Sequence, residues 1–373
     1  MGFDEFLGNG QLVAALRGAL RTQRVPHALL FTGPRGVGKY TLARMFAQAA
    51  NCQNLPDDFC GECEPCKRIS LLAHPQELLE QGLAERGENA DAVERIPLIL
   101  QSHPDVWALV PDPVRLKTPV ARPMLRIGQL RAVQRAAYFQ PMGRRRVFIL
   151  DGADTMNWNV ANVFLKILEE PPGSATLILT APSPHVLLPT IVSRCLQFHL
   201  APLSQEEVEK ILEVKTDRKP ADRKLAAQLA EGSPGLAMEM DVEQSLQRRR
   251  DALRILERSA RGEGFKEIFA DTSALAKDRE SSFEDQLQLF YGLLGDLLEL
   301  TSGSRQAVLR NAPLAKELQA LSKTVTSAWV MRAIAGFDEL HHGAGRNLNK
   351  QLGLDALAAS LAPRSHGSPG TRL

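Results

Sequence analysis

Three groups of residues in this chain have the types and spacing to do chemistry. The first is Gly33-Pro34-Arg35-Gly36-Val37-Gly38-Lys39, which spells G-x-x-x-x-G-K. Glycines in such a loop let backbone N–H groups converge on phosphate oxygens. A helix N-terminus adds positive potential, and the lysine supplies a point charge. The pattern breaks after Lys39, where a short Ser or Thr hydroxyl would ligate Mg²⁺. Tyr40 stands there, and its phenol oxygen lies too far from the backbone for that position. Thr41 follows as a substitute phosphate contact. The loop reads as a site for ATP or ADP, held weakly or without hydrolysis and with Mg²⁺ poorly provided for. The expected nucleotide contacts are Gly33, Pro34, Gly36, Val37, Gly38, Lys39, Tyr40, Thr41 and Asp151.

The second group is Asp151-Gly152-Ala153-Asp154, which follows the apolar run Arg146–Leu150. An Asp at such a strand end helps hold Mg²⁺ in hydrolytic P-loop proteins, and a Glu directly after it polarises the attacking water. Glycine occupies that second position and cannot accept a proton. Asp154 lies two residues too far along and is expected to cap the following helix. Loss of a general base removes about 10²–10⁴-fold in rate.

The third group is Cys52, Cys60, Cys63 and Cys66, spaced C-x7-C-x2-C-x2-C. Two successive C-x-x-C steps bring thiolates round one ion, and the fourth closes a tetrahedron. Structural Zn²⁺ is the favoured reading. An iron–sulfur cluster fits the run but lacks the C-x3-C-P continuation, and disulfides remain the third option. Four thiolates leave no open position for water, so the ion would be structural. Cys195 stands apart and reads as a buried small hydrophobe.

The elements that must position these groups follow from hydrophobic spacing. Residues 11–24 carry Leu12, Val13, Leu16 and Leu20 at helical intervals. His27–Thr32 is a short apolar run that ends in glycine, so strand, loop and helix succeed one another around Lys39. Arg146–Leu150, Thr176–Thr180 and Cys195–Leu200 are further strands, with an amphipathic helix over 157–170 stopped by Pro171-Pro172. Residues 75–102 read as helical and polar, a solvated hairpin. The stretch onward to Pro123 reads as irregular. Strands alternating with helices imply a parallel sheet covered on both faces. After Pro202 the strands cease. Leu287, Leu289, Leu293, Leu294, Leu297 and Leu298 form a dense helical seam, and 364–373 reads as a disordered tail.

At 373 residues the chain is long enough for two or three domains. Its net charge of +2 and 5% aromatic content argue against a zinc-containing nucleic-acid-binding module as the whole function. Arg144-Arg145-Arg146 leaves room for a local basic patch. No run of 18 apolar residues and no secretory pattern occur, and Phe6 breaks the myristoylation motif. Clustered cysteines suit a reducing compartment, so a cytoplasmic location is expected.

The order of motifs resembles the bacterial clamp-loader subunits. The phosphate loop, the four-cysteine insertion, His103-Pro104-Asp105, the Asp151 strand end, Leu168-Glu169-Glu170-Pro171-Pro172 and Ser193-Arg194-Cys195 appear in that family's sequence. The resemblance covers residues 1 to about 240. It implies a RecA-like AAA+ P-loop α/β domain with a parallel sheet over 1–201, with a zinc module at 51–68. It further implies a small helical lid over 202–242 and an all-α collar for oligomerisation over 243–363. It implies five-membered rings with gamma/tau and delta subunits that open a sliding clamp and load it on primer-template DNA. In that family the arginine matching Arg194 reaches a neighbour's ATP, a role worth about 10³–10⁵-fold for arginine fingers. Tyr40, Gly152, the arginine-free Gly232-Ser233-Pro234-Gly235, and Ala181-Pro182 after Thr180, where polar residues would sense phosphate, depart from the gamma/tau motor. They resemble the delta-prime type, which completes a neighbour's site without firing its own. An active gamma/tau-type motor is the alternative.

Overall fold

The computed structural model describes residues 2–87, 95–113, 123–277, 283–303, 309–344 and 349–363. Two compact units divide the chain. One comprises Met1–Arg218 with Gly232–Met238, the other Lys219–Glu231 with Glu239–Leu373.

The first unit is built on a six-stranded sheet. In chain order the elements are α1 (Gly10–Arg21), β1 (Ala28–Thr32), α2 (Lys39–Asn51), α3 (Glu64–Ser70), α4 (Pro75–Arg86), β2 (Leu100–His103), β3 (Val106–Leu109), α5 (Ile127–Ala137), β4 (Arg146–Leu150), α6 (Trp158–Glu169), β5 (Ala175–Ala181), α7 (Pro189–Val192) and β6 (Leu196–His199). The strand order is β2-β3-β4-β5-β1-β6. Five strands run parallel, and β2 joins β3 antiparallel at the edge. This is the RecA-like layout implied by the resemblance, with one reversed edge strand added.

The central strands are apolar on both faces, as a covered parallel sheet requires. Leu29 and Phe31 of β1, with Val147 and Ile149 of β4, face the core shared with α1, α2 and α3. Leu30, Phe148, Leu150 and Leu177 face the opposite core, built with α5 and α6. Register pairs Leu29 with Ile178 on one side and with Leu196 on the other. The sheet thus brings the ends of β1, β4 and β5 together.

Several expectations change. The polar segment 75–102 is not one solvated hairpin: α4 ends at Arg86, 100–102 belong to β2, and 88–94 lie outside the described residues. Arg86 is buried and makes a fork to Asp112, with Nη1–Oδ2 2.5 Å and Nη2–Oδ1 2.8 Å. That ion pair docks α4 beside the sheet. The stretch read as irregular contains β3, hidden because four residues are too few for a pattern. The tail 364–373 lies outside the described residues.

The arginine run is not a free basic patch. Arg145 donates to Thr176 Oγ1 at 2.6 Å and to the Val25, Gly173 and Ala175 carbonyls. Arg146 is buried, 3.6 Å from the Asp105 carboxylate. Asp105 also accepts from the Met142 and Gly143 amides at 3.1 and 2.6 Å, and His103 Nδ1 accepts the Asp105 amide. His103-Pro104-Asp105 therefore staples the loop ahead of β4.

Two more helices belong chiefly to the first unit, α8 (Gln205–Lys215) and α10 (Pro234–Glu239). Between them α9 (Pro220–Leu229) belongs to the second. The rest of the second unit is helical: α11 (Val242–Arg261), α12 (Phe265–Lys277), α13 (Phe283–Thr301), α14 (Ala315–Ser322), α15 (Ser327–Ala344) and α16 (Lys350–Ser360). Leu287, Leu293, Leu294 and Leu297 of the seam enter its core. Phe290 stacks there on Phe337, while Leu289 stays outside. Buried Arg249 ties α11 to α9, donating to the Leu229 carbonyl at 2.8 Å and to Asn311 Oδ1 at 3.0 Å. No helix among the described residues is long and apolar enough to cross a membrane.

Candidate nucleotide-site remnant, cysteine cluster and arginine

The phosphate loop joins β1 to α2, as its glycine content requires. Gly36 has a positive φ of 76°, and a Cβ there would come 2.8 Å from the Leu236 amide nitrogen. The space above the loop is taken by the start of α10, whose Gly235 amide donates to the Gly36 carbonyl at 2.8 Å. Lys39 Nζ donates to the Gly33 and Pro34 carbonyls, each at 2.7 Å. Burial lowers the Lys39 pKa, and the charges of Asp151 and Asp154 oppose that shift. Val37 is buried, whereas Pro34 and Thr41 are exposed.

Tyr40 turns away from the phosphate loop. Its hydroxyl donates to the Leu72 carbonyl at 2.9 Å, and its ring packs on the core beneath the sheet. Burial, reinforced by the Asp151 charge, raises its pKa.

Asp151 ends β4 beside the end of β5. Its Oδ1 accepts from the Thr180 hydroxyl at 2.6 Å, and Thr180 Oγ1 accepts from the Gly152 amide at 3.0 Å. Burial raises the Asp151 pKa, with the Thr180 bond and the Lys39 charge acting against it. Thr180, the polar residue near the end of β5, is its partner. Its place at the end of a strand was the signal. Gly152 sits at φ 68°, and a Cβ there would meet the Pro111 ring at 3.1 Å. A glutamate at this position would be strained as well as chemically different. Asp154 does not cap the next helix. It lies in the 3₁₀ turn Ala153–Thr155, and Asn157 caps α6 by accepting from the Val160 amide at 3.0 Å. A cap must stand immediately before the first helical residue, and Asp154 is too early.

The four cysteines converge. Their sulfurs all lie within 4.8 Å of one another, with Cys52 and Cys63 4.0 Å apart. Thiolates ~2.3 Å from one tetrahedral Zn²⁺ stand ~3.8 Å apart, so the set fits such an ion. Cys52 follows the last residue of α2, Cys63 precedes α3, and Cys66 lies in its first turn. Cys60 Sγ accepts from the Cys63 amide at 3.3 Å and from Asn54 Nδ2 at 3.2 Å. Backbone amides, that of Cys63 foremost, bring the Cys60 thiol down to about 6. Buried Gln48 of α2 donates to the Cys66 carbonyl at 3.0 Å, tying the cluster to that helix.

Arg194 lies far from these groups in sequence, just before β6. Its Nη1 donates to the Thr190 carbonyl at 2.8 Å and its Nη2 to Glu169 Oε1 at 3.0 Å. The pair is partly exposed. Neighbouring Cys195 is buried, and burial pushes its thiol up to about 12.

Comparison with known proteins agrees with this arrangement. The tau/gamma subunit of DNA polymerase III from Haemophilus influenzae is 32% identical over 211 residues, 56% of this chain and 25% of that protein. The tau subunit from Escherichia coli is 31% identical over 237 residues, 62% of this chain and 31% of that protein. The delta' subunit from Pseudomonas aeruginosa is 35% identical over 173 residues, 46% of this chain and 42% of that protein. The matches thus span a quarter to under half of these relatives' lengths. The family model described as DNA polymerase III, delta subunit matches residues 8–204, more than half of the 373. The chain belongs to that DNA polymerase III delta-subunit family, among the clamp-loader subunits that its motif order resembles.

Proposed function

We propose that this protein is a delta-prime-type, non-firing subunit of a bacterial clamp loader. It assembles with gamma/tau and delta subunits to place a sliding clamp on primer-template DNA. In this reading Arg194 reaches the ATP of a neighbouring subunit and neutralises charge on the transferred phosphoryl group. One observation carries the reading. A partly exposed guanidinium stands on the surface beside Glu169, while the chain's own pocket has Gly152, at a positive φ that a side chain would strain, where a base would stand. The turn of Tyr40 away from the loop toward Leu72 and the occupation of the loop's upper side by α10 support it. A nucleotide would be held by Gly33, Gly36, Gly38 and Lys39 once α10 withdrew, with Asp151 as the remaining Mg²⁺-side carboxylate.

The four cysteines hold one structural Zn²⁺ in this reading. That ion joins the end of α2 to α3 and takes no part in chemistry.

Arg194→Ala in the reconstituted loader tests the proposal. ATP turnover should fall at least about 10³-fold at the neighbouring site. Normal turnover would reject the trans role.

A second reading has specific support: an active motor of the gamma/tau type. The tau/gamma relatives match at 31–32% identity, and Thr180 still bonds Asp151 beside the loop. Steady-state hydrolysis by the purified chain separates the two. Turnover near or above ~1 s⁻¹ lies in the ordinary enzyme range and favours the motor.

A further inference from the structure

The paired glutamates before Pro171-Pro172 have no part in the function argued above. We propose that Glu169 is a positioning residue for Arg194, an inference that rests on the trans-arginine reading.

The argument starts from how each side chain is anchored. Glu169 is the last residue of α6, and Glu170 leaves the helical region at φ −123°, ψ 66°. Two prolines then forbid another turn. Ile167 and Leu168 are buried in the core against the sheet, which fixes the rotation of that final turn. The Glu170 carbonyl accepts from the Tyr138 hydroxyl at 3.2 Å, holding the helix end to the tip of α5. The Glu169 carboxylate is thereby presented outward from a rigid base.

Arg194 is anchored from behind in the same way. Buried Cys195 follows it, and Leu196 pairs with Leu29 in the sheet. Among the described residues its long side chain is then held at two points, the Thr190 carbonyl and Glu169. A free arginine side chain samples many rotamers, and ordering it costs entropy at the moment of reaction. Glu169 meets that cost in advance. Five N–H groups are available on a guanidinium, and these two contacts use two. The others remain for a phosphate, which arginine grips in a planar fork. Glu169 uses only Oε1, so an amide oxygen there could do much of the same work.

Three variants in the reconstituted loader test this. Glu169→Ala should lower kcat at the neighbouring site about tenfold while KM for ATP stays within about twofold, because ground-state binding belongs to the neighbour. Glu169→Gln, which keeps the acceptor, should recover most of that loss. Arg194→Ala is the reference. If it is impaired while Glu169→Ala turns over normally or faster, the positioning role is wrong and the trans arginine stands. If Arg194→Ala itself is normal, the underlying reading has failed instead. On the isolated chain, labelling of Arg194 by an arginine-selective dicarbonyl, read by mass spectrometry, should be several-fold faster in Glu169→Ala. Equal labelling rates would overturn the proposal without any partner subunit present.

Discussion

The two ends of helix α2 make opposite use of their motifs. At the N-terminal end the phosphate loop keeps its glycines and its lysine, yet its polar groups bond within the chain: Lys39 to Gly33 and Pro34, Gly36 to Gly235. At the C-terminal end Cys52 meets three other thiols, and the donor set still matches a metal. One end has the loop's shape with Tyr40 and Gly152 where a short hydroxyl and a carboxylate would serve hydrolysis. The other brings together a donor set that could hold a metal ion. The difference teaches that residue type and spacing can set a loop's backbone while its polar groups bond within the chain, or can bring four donors to one point. Tyr40 links the two ends, since its hydroxyl reaches Leu72 just beyond the cysteine module.

The largest effect expected is at the cysteine end. Cys52→Ser should abolish stoichiometric zinc in elemental analysis and lower thermal stability severely, because structural Zn²⁺ contributes on the order of 10 kcal/mol in small zinc modules. Retained zinc at one ion per chain would equate the two ends and break the contrast. Acid should release the metal, since protons compete for the thiolates as pH falls.

A smaller effect is expected where the ends are joined. Tyr40→Phe leaves the Leu72 carbonyl without its donor and should cost about 1–2 kcal/mol in urea unfolding. Nucleotide affinity should not change, since the hydroxyl faces away from the loop. A change in affinity would place Tyr40 in the phosphate site after all.

The smallest effect belongs to the loop end. Burial raises the Asp151 pKa. Between its unfolded and folded values the native chain binds the extra proton, so this group's contribution to stability falls as pH rises through that window. Asp151→Asn removes the charged form and keeps an acceptor for Thr180. It should therefore stabilise the chain by about 1 kcal/mol at pH 7, the usual scale of a single stabilising substitution. The gain should shrink as pH falls and vanish below about pH 3, where the wild-type carboxyl is protonated in both states. Destabilisation at neutral pH would mean that Asp151 is held as a working carboxylate.

Much of the first unit was legible from local pattern. Arg146–Leu150 is an apolar run bounded by charge, and it became β4 with the same limits. The helix over 157–170 was readable because its apolar spacing is strong and two prolines end it. The cysteines were readable because their spacing alone limits how they can meet. Local pattern failed where long-range partners decide. Residues 106–109 form a strand because β4 lies beside them. Arg144-Arg145-Arg146 looks basic and solvated in sequence, but Thr176, Asp105 and several carbonyls absorb it.

Sequence by itself determined which residues carry potential chemistry, because tyrosine at position 40 and glycine at position 152 are facts of residue type. Only the tertiary structure decided where those side chains point. Tyr40 faces Leu72, α10 sits on Gly36, and Arg194 lies against Glu169 from 25 residues away. Periodicity encodes which face of an element is buried, but not which distant element covers it; that is settled by packing and by the pairing of buried polar groups.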